Sequence, residues 1–154
     1  TARAAQMQKQ IQDRLAQTAR LRSLAGQVRV MVVPEGIRID MIDDADFSMF
    51  ALGTTVLTGD ARELLHVIAD AVAEEAAPMI VRGHTDAVKW KPGTVANNWS
   101  LSAGRAEATR QQLMRDGLPE KRFSRIEGVA DRELLIADDP TDPRNRRISL
   151  LLLR

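Results

Sequence analysis

The most chemically suggestive feature of the chain is the run GHTD at residues 83–86, with Arg105 downstream in NNWSLSAGRAEATR, residues 97–110. An apolar run, MIV, precedes GHTD, which predicts a buried strand ending in a polar turn. The second segment predicts a helix with Arg105 in its first turns. Ligand sites in open α/β units gather at the carboxyl ends of strands, and a helix N-terminus favours anions. We therefore expect Asp86 and Arg105 to face one small pocket.

An aspartate and an arginine in one pocket suit a zwitterion. Asp86 can accept hydrogen bonds from an ammonium, while Arg105 can hold a carboxylate through two parallel hydrogen bonds. A free amino-acid head group carries both charges on one carbon. The simpler alternative is that Asp86 and Arg105 pair with each other and pin the turn to the helix. Spacing alone favours that alternative.

The sequence gives little support for a catalytic site or a metal site. The absence of cysteine excludes disulfides, thiolate catalysis and Cys-ligated zinc. His84 has only His66, on another predicted helix, as a second histidine, so a zinc site lacks ligands. We interpret His84 as a packing or supporting residue that orients the loop through its ring N–H. Ser102 lacks the Gly-x-Ser-x-Gly context of a nucleophile elbow. We expect no catalytic residue, no metal and no cofactor.

Two further charged clusters carry weaker functional signals. The carboxylates of Asp43, Asp44 and Asp46 could supply an acid–base pair, but the cluster is more typical of a solvated loop. The basic run RNRR at residues 144–147 is short and has aspartates nearby, which argues against a nucleic-acid patch.

Composition favours one aliphatic-cored domain with an appendage. The 154 residues are 44% hydrophobic but only 3% aromatic, and the formal net charge is +1. That charge balance provides no general attraction to nucleic acid or anionic lipid, and single-strand binders need more aromatic stacking. The first residues contain no initiator methionine, signal peptide or membrane-spanning run. We expect the sequence to be part of a longer protein whose anchor lies outside it.

Residues 1–26 predict an N-terminal linker helix. Apolar or small residues recur there every three or four positions: Ala4, Met7, Ile11, Leu15, Thr18, Leu21 and Ala25. One alternative is a solvated helix or a helix packed on its own domain. The other is a dimer seam of the coiled-coil type.

Residues 27–154 predict an α+β domain with helices on one face of a mixed sheet. A hairpin is expected from VRVMVV and IRIDMID, joined by PEG, with Asp40 on the face opposite Ile39. In the connection 43–60, we expect Phe47, Met49 and Phe50 to enter the core. Helices are predicted from about Asp60 to Pro78 and over residues 101–116, the second capped by Gly117. The remaining predicted strands are MIV, residues 124–127 and the buried ISLLLL.

These segments together resemble the OmpA-like peptidoglycan-binding domain. The matching motifs are GHTD at 83–86, N..LS..RA at 98–106, GVADREL at 128–134 and NRRISL at 145–150, in the expected order. Fourteen residues separate Asp86 from Leu101, a long loop that is similar to the MotB-type stator branch of the family. The resemblance implies a two-layer sandwich of helices on a mixed sheet.

The resemblance also implies roles for individual residues. Asp86 falls on the aspartate that binds the ammonium of diaminopimelate in the peptidoglycan stem peptide, and Arg105 on the arginine that binds its carboxylate. Residues at positions lining the same pocket are Thr85, Asn98, Leu101 and Ser102. The resemblance also implies Arg146, in the NRR motif, as a supporting residue, and the stator branch adds contact with glycan.

For the whole chain, the resemblance implies a non-enzymatic, dimeric wall anchor in the periplasm. Residues 1–26 correspond to the segment joining a membrane helix to the wall-binding domain, and a MotA-like subunit is the implied membrane partner. Alternatives are an outer-membrane tether of the OmpA type and a peptidoglycan hydrolase using His84 and Asp86. Nucleic acid is not an expected partner.

Overall fold

The computed structural model describes residues 2–154 of the chain. Short 3-10 turns at Ala25–Gln27, Glu120–Arg122 and Pro143–Asn145 connect regular elements. In chain order, the helices and strands are α1 Ala2–Ala16, α2 Ala19–Arg22, β1 Val28–Val33, β2 Gly36–Ile42, α3 Gly59–Val72, β3 Met79–His84, α4 Asn98–Arg115, β4 Phe123–Gly128 and β5 Arg147–Leu153. Within residues 2–154, no helix has the length and apolar character needed to cross a membrane.

The strands form one mixed sheet in the order β1-β2-β5-β3-β4. Antiparallel pairing joins β1 to β2, β2 to β5 and β5 to β3, whereas β3 and β4 are parallel. A parallel pair requires a crossover, and α4 supplies it between β3 and β4. The predicted α+β class and the predicted hairpin are confirmed.

The core lies between one face of the sheet and the helices α1, α3 and α4. It is almost entirely aliphatic, and the predicted Phe47, Met49 and Phe50 are buried in it. Strand β5 is central in the sheet, and Ile148–Leu152 are all buried, as predicted for a strand covered on both faces. Removal of this apolar surface from water is the main stabilising contribution.

Helix α1 packs on its own domain. Its buried side chains contact α3 and β1, and they are the first four members of the predicted stripe, namely Ala4, Met7, Ile11 and Leu15. An ion pair between Arg14 and Asp70 on α3 is 3.1 Å long. Thr1, the first residue of the predicted linker, lies outside the described residues.

The prediction of one continuous helix over residues 1–26 was wrong. Helix α1 ends at Ala16, and Thr18 has an extended backbone with φ −119° and ψ 119° before the short α2 begins. Thr18 is exposed, so it does not belong to the buried stripe. The break redirects the chain so that Leu21 and Leu24 enter the core ahead of β1.

Helix α3 begins one residue before the predicted Asp60. It begins at Gly59, and the N-cap is Thr58, whose hydroxyl oxygen accepts from the Ala61 N–H. The hydroxyl is held in place because it also donates to the Ser48 carbonyl at 2.9 Å. The helix ends at Val72, well before the predicted Pro78.

Helix α4 begins three residues before the predicted Leu101. Asn97 and Ser100 form a reciprocal capping box that starts the helix at Asn98. The predicted end is confirmed: Gly117 has φ +109°, and its N–H donates to Met114 at 3.0 Å while Leu118 donates to Leu113 at 3.1 Å. These two bonds form a Schellman motif.

The alternation in β2 places Asp40 on the face opposite Ile39 and predicts a solvated side chain. In the structure Asp40 is buried. Only 1% of it is exposed, because the neighbouring β5 places Ser149 directly beside it. The Ser149 hydroxyl donates to the carboxylate at 2.6 Å, and Arg38 forms an ion pair with it at 3.1 Å. Both interactions offset the cost of burying this charge.

Two glycines allow α4 to lie directly on the sheet. Gly83 of β3 and Gly128 of β4 are paired neighbours. A Cβ atom on Gly83 would overlap the Ser102 carbonyl group, and one on Gly128 would overlap the Ala103 backbone. The absence of both side chains therefore sets the distance between α4 and the carboxyl ends of β3 and β4.

We predict that Gly83→Ala destabilises the fold. The added methyl group must displace α4, and overpacking of this kind costs about 1–3 kcal/mol. Chemical denaturation followed by circular dichroism measures the change. Gly26→Ala is the matched control, since nothing lies within 4 Å of a Cβ at that position. Equal stability of the two variants would show that α4 does not depend on the close approach.

Candidate functional site: a charged cavity at the sheet edge

A cavity of about 480 Å³ opens where β3 ends and α4 begins. Its volume lies in the range of small-ligand sites. Four chain segments form its walls: the connection between β2 and α3, the loop from β3 to α4, the first turns of α4, and the residue that precedes β5. The lining residues are Asp43, Ser48, Phe50, Leu52, Gly53, Thr85, Asp86, Val88, Lys89, Trp90, Lys91, Thr94, Asn98, Leu101, Arg105 and Arg146.

Asp86 lies on this cavity wall, 7% exposed, and its ion-pair partner is Arg146. Arg146 Nη1 donates to Asp86 Oδ2 at 2.9 Å, and the Val88 N–H donates to Oδ1 at 3.1 Å. In the part of the chain that the structure describes, Asp86 and Arg105 form no direct ion pair. The alternative that these two residues simply neutralise each other is therefore wrong.

Asp43 is a site residue that the sequence interpretation missed. Asp46 is exposed, as predicted for a solvated loop. Asp43, in contrast, is 3% exposed and lines the cavity. Its carboxylate accepts from the Met49 N–H at 3.0 Å and from Arg146 Nε at 3.2 Å. The error arose because Asp43 directly follows the last residue of β2, so it is held at the sheet edge.

Burial disfavours the charged forms of Asp43 and Arg146. Desolvation raises the pKa of the Asp43 carboxyl group, although the hydrogen bonds from Met49 and Arg146 favour its charged form. For Arg146, desolvation alone lowers the pKa, but hydrogen bonds to Asp43 and Asp86 outweigh it and leave the pKa raised. Arg146 therefore holds two buried carboxylates together as a partly buried bridge.

Arg105 is held from two sides while its outer nitrogen atoms are left unpaired. Its Nε donates to the Thr54 carbonyl at 2.8 Å, and the guanidinium lies 4.9 Å from the centroid of the Phe50 ring. Burial lowers the pKa of Arg105, but an arginine remains charged at neutral pH. Within residues 2–154, neither Nη atom has a hydrogen-bond partner. These two donors are available to a carboxylate in the cavity.

Asn98 fixes the loop between β3 and α4. Its side-chain amide donates to the carbonyl groups of Asp86 and Val88, both at 3.3 Å. Its oxygen accepts from Trp90 Nε1 at 2.9 Å. The first residue of α4 therefore holds the loop over the cavity, and the sequence pattern contained no signal for Trp90.

The structure brings six of the seven predicted site residues to the cavity wall: Thr85, Asp86, Asn98, Leu101, Arg105 and Arg146. Thr85 donates its hydroxyl hydrogen to the Asp86 carbonyl at 2.8 Å. Ser102 does not line the cavity. It is fully buried, and its hydroxyl oxygen accepts from the Ala130 N–H at 3.1 Å, so it tethers the loop after β4 instead.

His84 contributes to the sheet rather than to the loop that it was expected to orient. Its Nε2 lies 3.4 Å from the Ser149 hydroxyl on β5. Burial, together with the charges of Arg147, Arg82 and Arg38, lowers the pKa of His84 to about 3. The imidazole is therefore neutral at physiological pH. No group of three or more His, Asp or Glu side chains in residues 2–154 is arranged to hold a metal ion.

Comparison with known proteins identifies the family of this chain. The OmpA family model matches residues 49–148. Motility protein B of Escherichia coli K12 is 36% identical over 135 residues, a match that spans 87% of this chain and 44% of that protein. The chain thus spans less than half the length of this relative.

Two solved structures share the fold. The periplasmic domain of Helicobacter pylori MotB superimposes with a TM-score of 0.68 at 14% identity, covering 79% of this chain and 85% of that one. The cell wall anchor of the Pseudomonas aeruginosa T6SS also gives 0.68, at 26% identity, covering 92% and 98%.

These matches define the class: the chain belongs to the OmpA family. Within that family it is similar to motility protein B, which agrees with the branch indicated by the long loop after Asp86. Asp43 lies outside the residues that the family model matches, which is why the shared motifs gave no indication of it.

We predict that Arg146→Met destabilises the fold by about 3 kcal/mol at pH 7. The variant leaves Asp43 and Asp86 buried without their shared cation, which is strongly unfavourable. The loss should shrink on acidification, because protonation removes the unpaired charges. Denaturant titrations at pH 7 and pH 4 measure both effects.

Arg144→Met is the matched control for this prediction. Arg144 is the neighbouring exposed arginine, and it pairs with Asp142 at the surface, 2.9 Å away. Exposed pairs contribute little to stability. A cost for Arg146→Met as small as that for Arg144→Met would contradict the partly buried bridge.

Proposed function

We propose that this chain is a non-enzymatic module that binds peptidoglycan and anchors a flagellar motor stator to the cell wall. The observation that carries the proposal is the pairing of opposite charges in one cavity. Asp86 and Arg105 line the same wall, and the two Nη donors of Arg105 have no partner within residues 2–154. Membership of the OmpA family and similarity to motility protein B support the same function.

In this proposal the cavity holds the zwitterionic end of diaminopimelate from the stem peptide. Its ammonium binds Asp86, and its carboxylate accepts from the two free nitrogen atoms of Arg105. Thr85, Asn98 and Leu101 form the surrounding wall, while Arg146 fixes the Asp86 carboxylate. The site is built before the ligand arrives, so little ordering entropy opposes binding.

The proposed setting is the periplasm, where the wall lies. Residues 1–26 serve as the linker and regulatory segment, and residues 27–154 as the wall-binding domain. The module acts as a homodimer, and a MotA-like subunit is its partner through a membrane part outside this sequence. The wall contact then resists the torque on the stator.

A second candidate is the wall anchor of a type VI secretion system. It is favoured by the 26% identity and near-complete coverage of the Pseudomonas aeruginosa structure. Both candidates bind the wall through the same cavity and differ in the membrane complex that they hold. Restored swimming on transfer into a motility protein B-deficient strain, as a fusion to that protein's membrane part, favours the stator assignment.

We predict that Asp86→Asn and Arg105→Met each weaken binding to purified peptidoglycan sacculi by about tenfold to a hundredfold. Each change removes a charge-assisted hydrogen bond to the ligand, worth about 1.5–3 kcal/mol. Co-sedimentation over a range of sacculus concentrations measures the affinity. The exposed carboxylate of Asp13 provides the control, Asp13→Asn, which should bind like the wild type.

Binding of both cavity variants at wild-type strength would contradict the assignment of the cavity. The supernatant of the same assay tests the hydrolase alternative. Soluble muropeptides released by the wild type, but not by a boiled sample, would contradict a purely binding function.

A further inference from the structure

The cavity carries an excess of positive charge at its mouth. Its inner wall holds two carboxylates, Asp43 and Asp86, and two guanidinium groups, Arg105 and Arg146. The formal charges of these four groups sum to zero. The same cavity is lined at its exposed side by Lys89 and Lys91. No carboxylate among its lining residues offsets these two ammonium groups.

The two lysines are unpaired in the part of the chain that the structure describes. Neither has an ion pair or a side-chain hydrogen bond there. Four cationic and two anionic groups therefore line the cavity, an excess of two positive charges. A ligand with one ammonium and one carboxylate is neutral, so it leaves this excess uncompensated.

The loop that carries the lysines is held in place beside the cavity. Trp90, between them, donates to Asn98 at the start of α4. On the far side, the Thr94 hydroxyl donates to the Lys91 carbonyl at 2.7 Å. The lysine backbone is thus fixed at the cavity mouth, while the ammonium groups keep their side-chain freedom.

We propose that Lys89 and Lys91 form a second anion subsite, which binds a carboxylate adjacent to the zwitterionic head group. The ligand class is an acidic peptide with one ammonium and at least two carboxylates. This inference rests on the proposed function and deepens it: the module distinguishes wall peptides by the charge next to diaminopimelate. A peptide in which the adjacent carboxylate is amidated presents no partner for the lysines.

The test compares two synthetic dipeptides in which N-acetyl-D-glutamate is joined through its side-chain carboxyl to the L-centre amino group of meso-diaminopimelate. The L-centre carboxyl of diaminopimelate is amidated in both, so the head group keeps one ammonium and one carboxylate. The α-carboxyl of glutamate is free in one and amidated in the other. Isothermal titration with the wild-type chain at low ionic strength should give about threefold to tenfold tighter binding of the free acid, from exposed ion pairs. The preference should decrease at high salt, because the lysines are exposed and screened.

The double variant Lys89→Gln and Lys91→Gln should bind both dipeptides with equal affinity. The control Lys121→Gln removes one positive charge from an exposed lysine that does not line the cavity, and it should keep the preference. Equal binding of both dipeptides by the wild type would overturn the subsite, as would a preference that survives in the double variant.

The same titration separates failure of the subsite from failure of the proposed function. If Asp86→Asn abolishes binding of both dipeptides while the wild type binds them equally, the head-group site stands and the lysine subsite is wrong. If the wild type binds neither dipeptide, both proposals are wrong.

Discussion

The direct contact between α4 and the glycines of β3 and β4 is the constraint on which the candidate site depends. Because Gly83 and Gly128 have no side chains, the helix backbone lies against the sheet, and the first turns of α4 sit above the carboxyl ends of two parallel strands. From that position Asn98 reaches the loop after β3, and Arg105 reaches the connection between β2 and α3. Any larger residue at these glycines would separate the two charges that define the cavity.

The second requirement is a cation that can hold two buried carboxylates. Arg146 lies just before β5, the central strand, and bridges Asp43 at the end of β2 to Asp86 after β3. The bridge joins segments that are far apart in sequence but adjacent at one edge of the sheet. Within residues 2–154, the Thr54 carbonyl and the Phe50 ring hold Arg105, so its two Nη donors remain free at the cavity wall instead of pairing with an aspartate.

The sequence predicted the elements well where periodicity and turn chemistry were strong. The hairpin and the end of α4 at Gly117 both followed from local patterns. Local patterns could not reveal Asp43 or Asp40, because their burial arises from β5, which pairs beside β2 from the other end of the chain. The break at Thr18 was also hidden, since the stripe continues past it in three- and four-residue steps. Ser102 looked like a pocket residue by motif position, yet its hydroxyl faces the Ala130 backbone.

In the proposed site, Arg105 rather than Arg146 presents free donors to the ligand. Nuclear magnetic resonance of the arginine side-chain N–H signals during titration with meso-diaminopimelate tests it most directly, with Arg105→Lys and Arg146→Lys assigning the two signals. The account predicts a large, saturable shift of the Arg105 signal and a smaller one for Arg146, which stays bound to its carboxylates. An Arg105 signal that remains unchanged at saturation would contradict it.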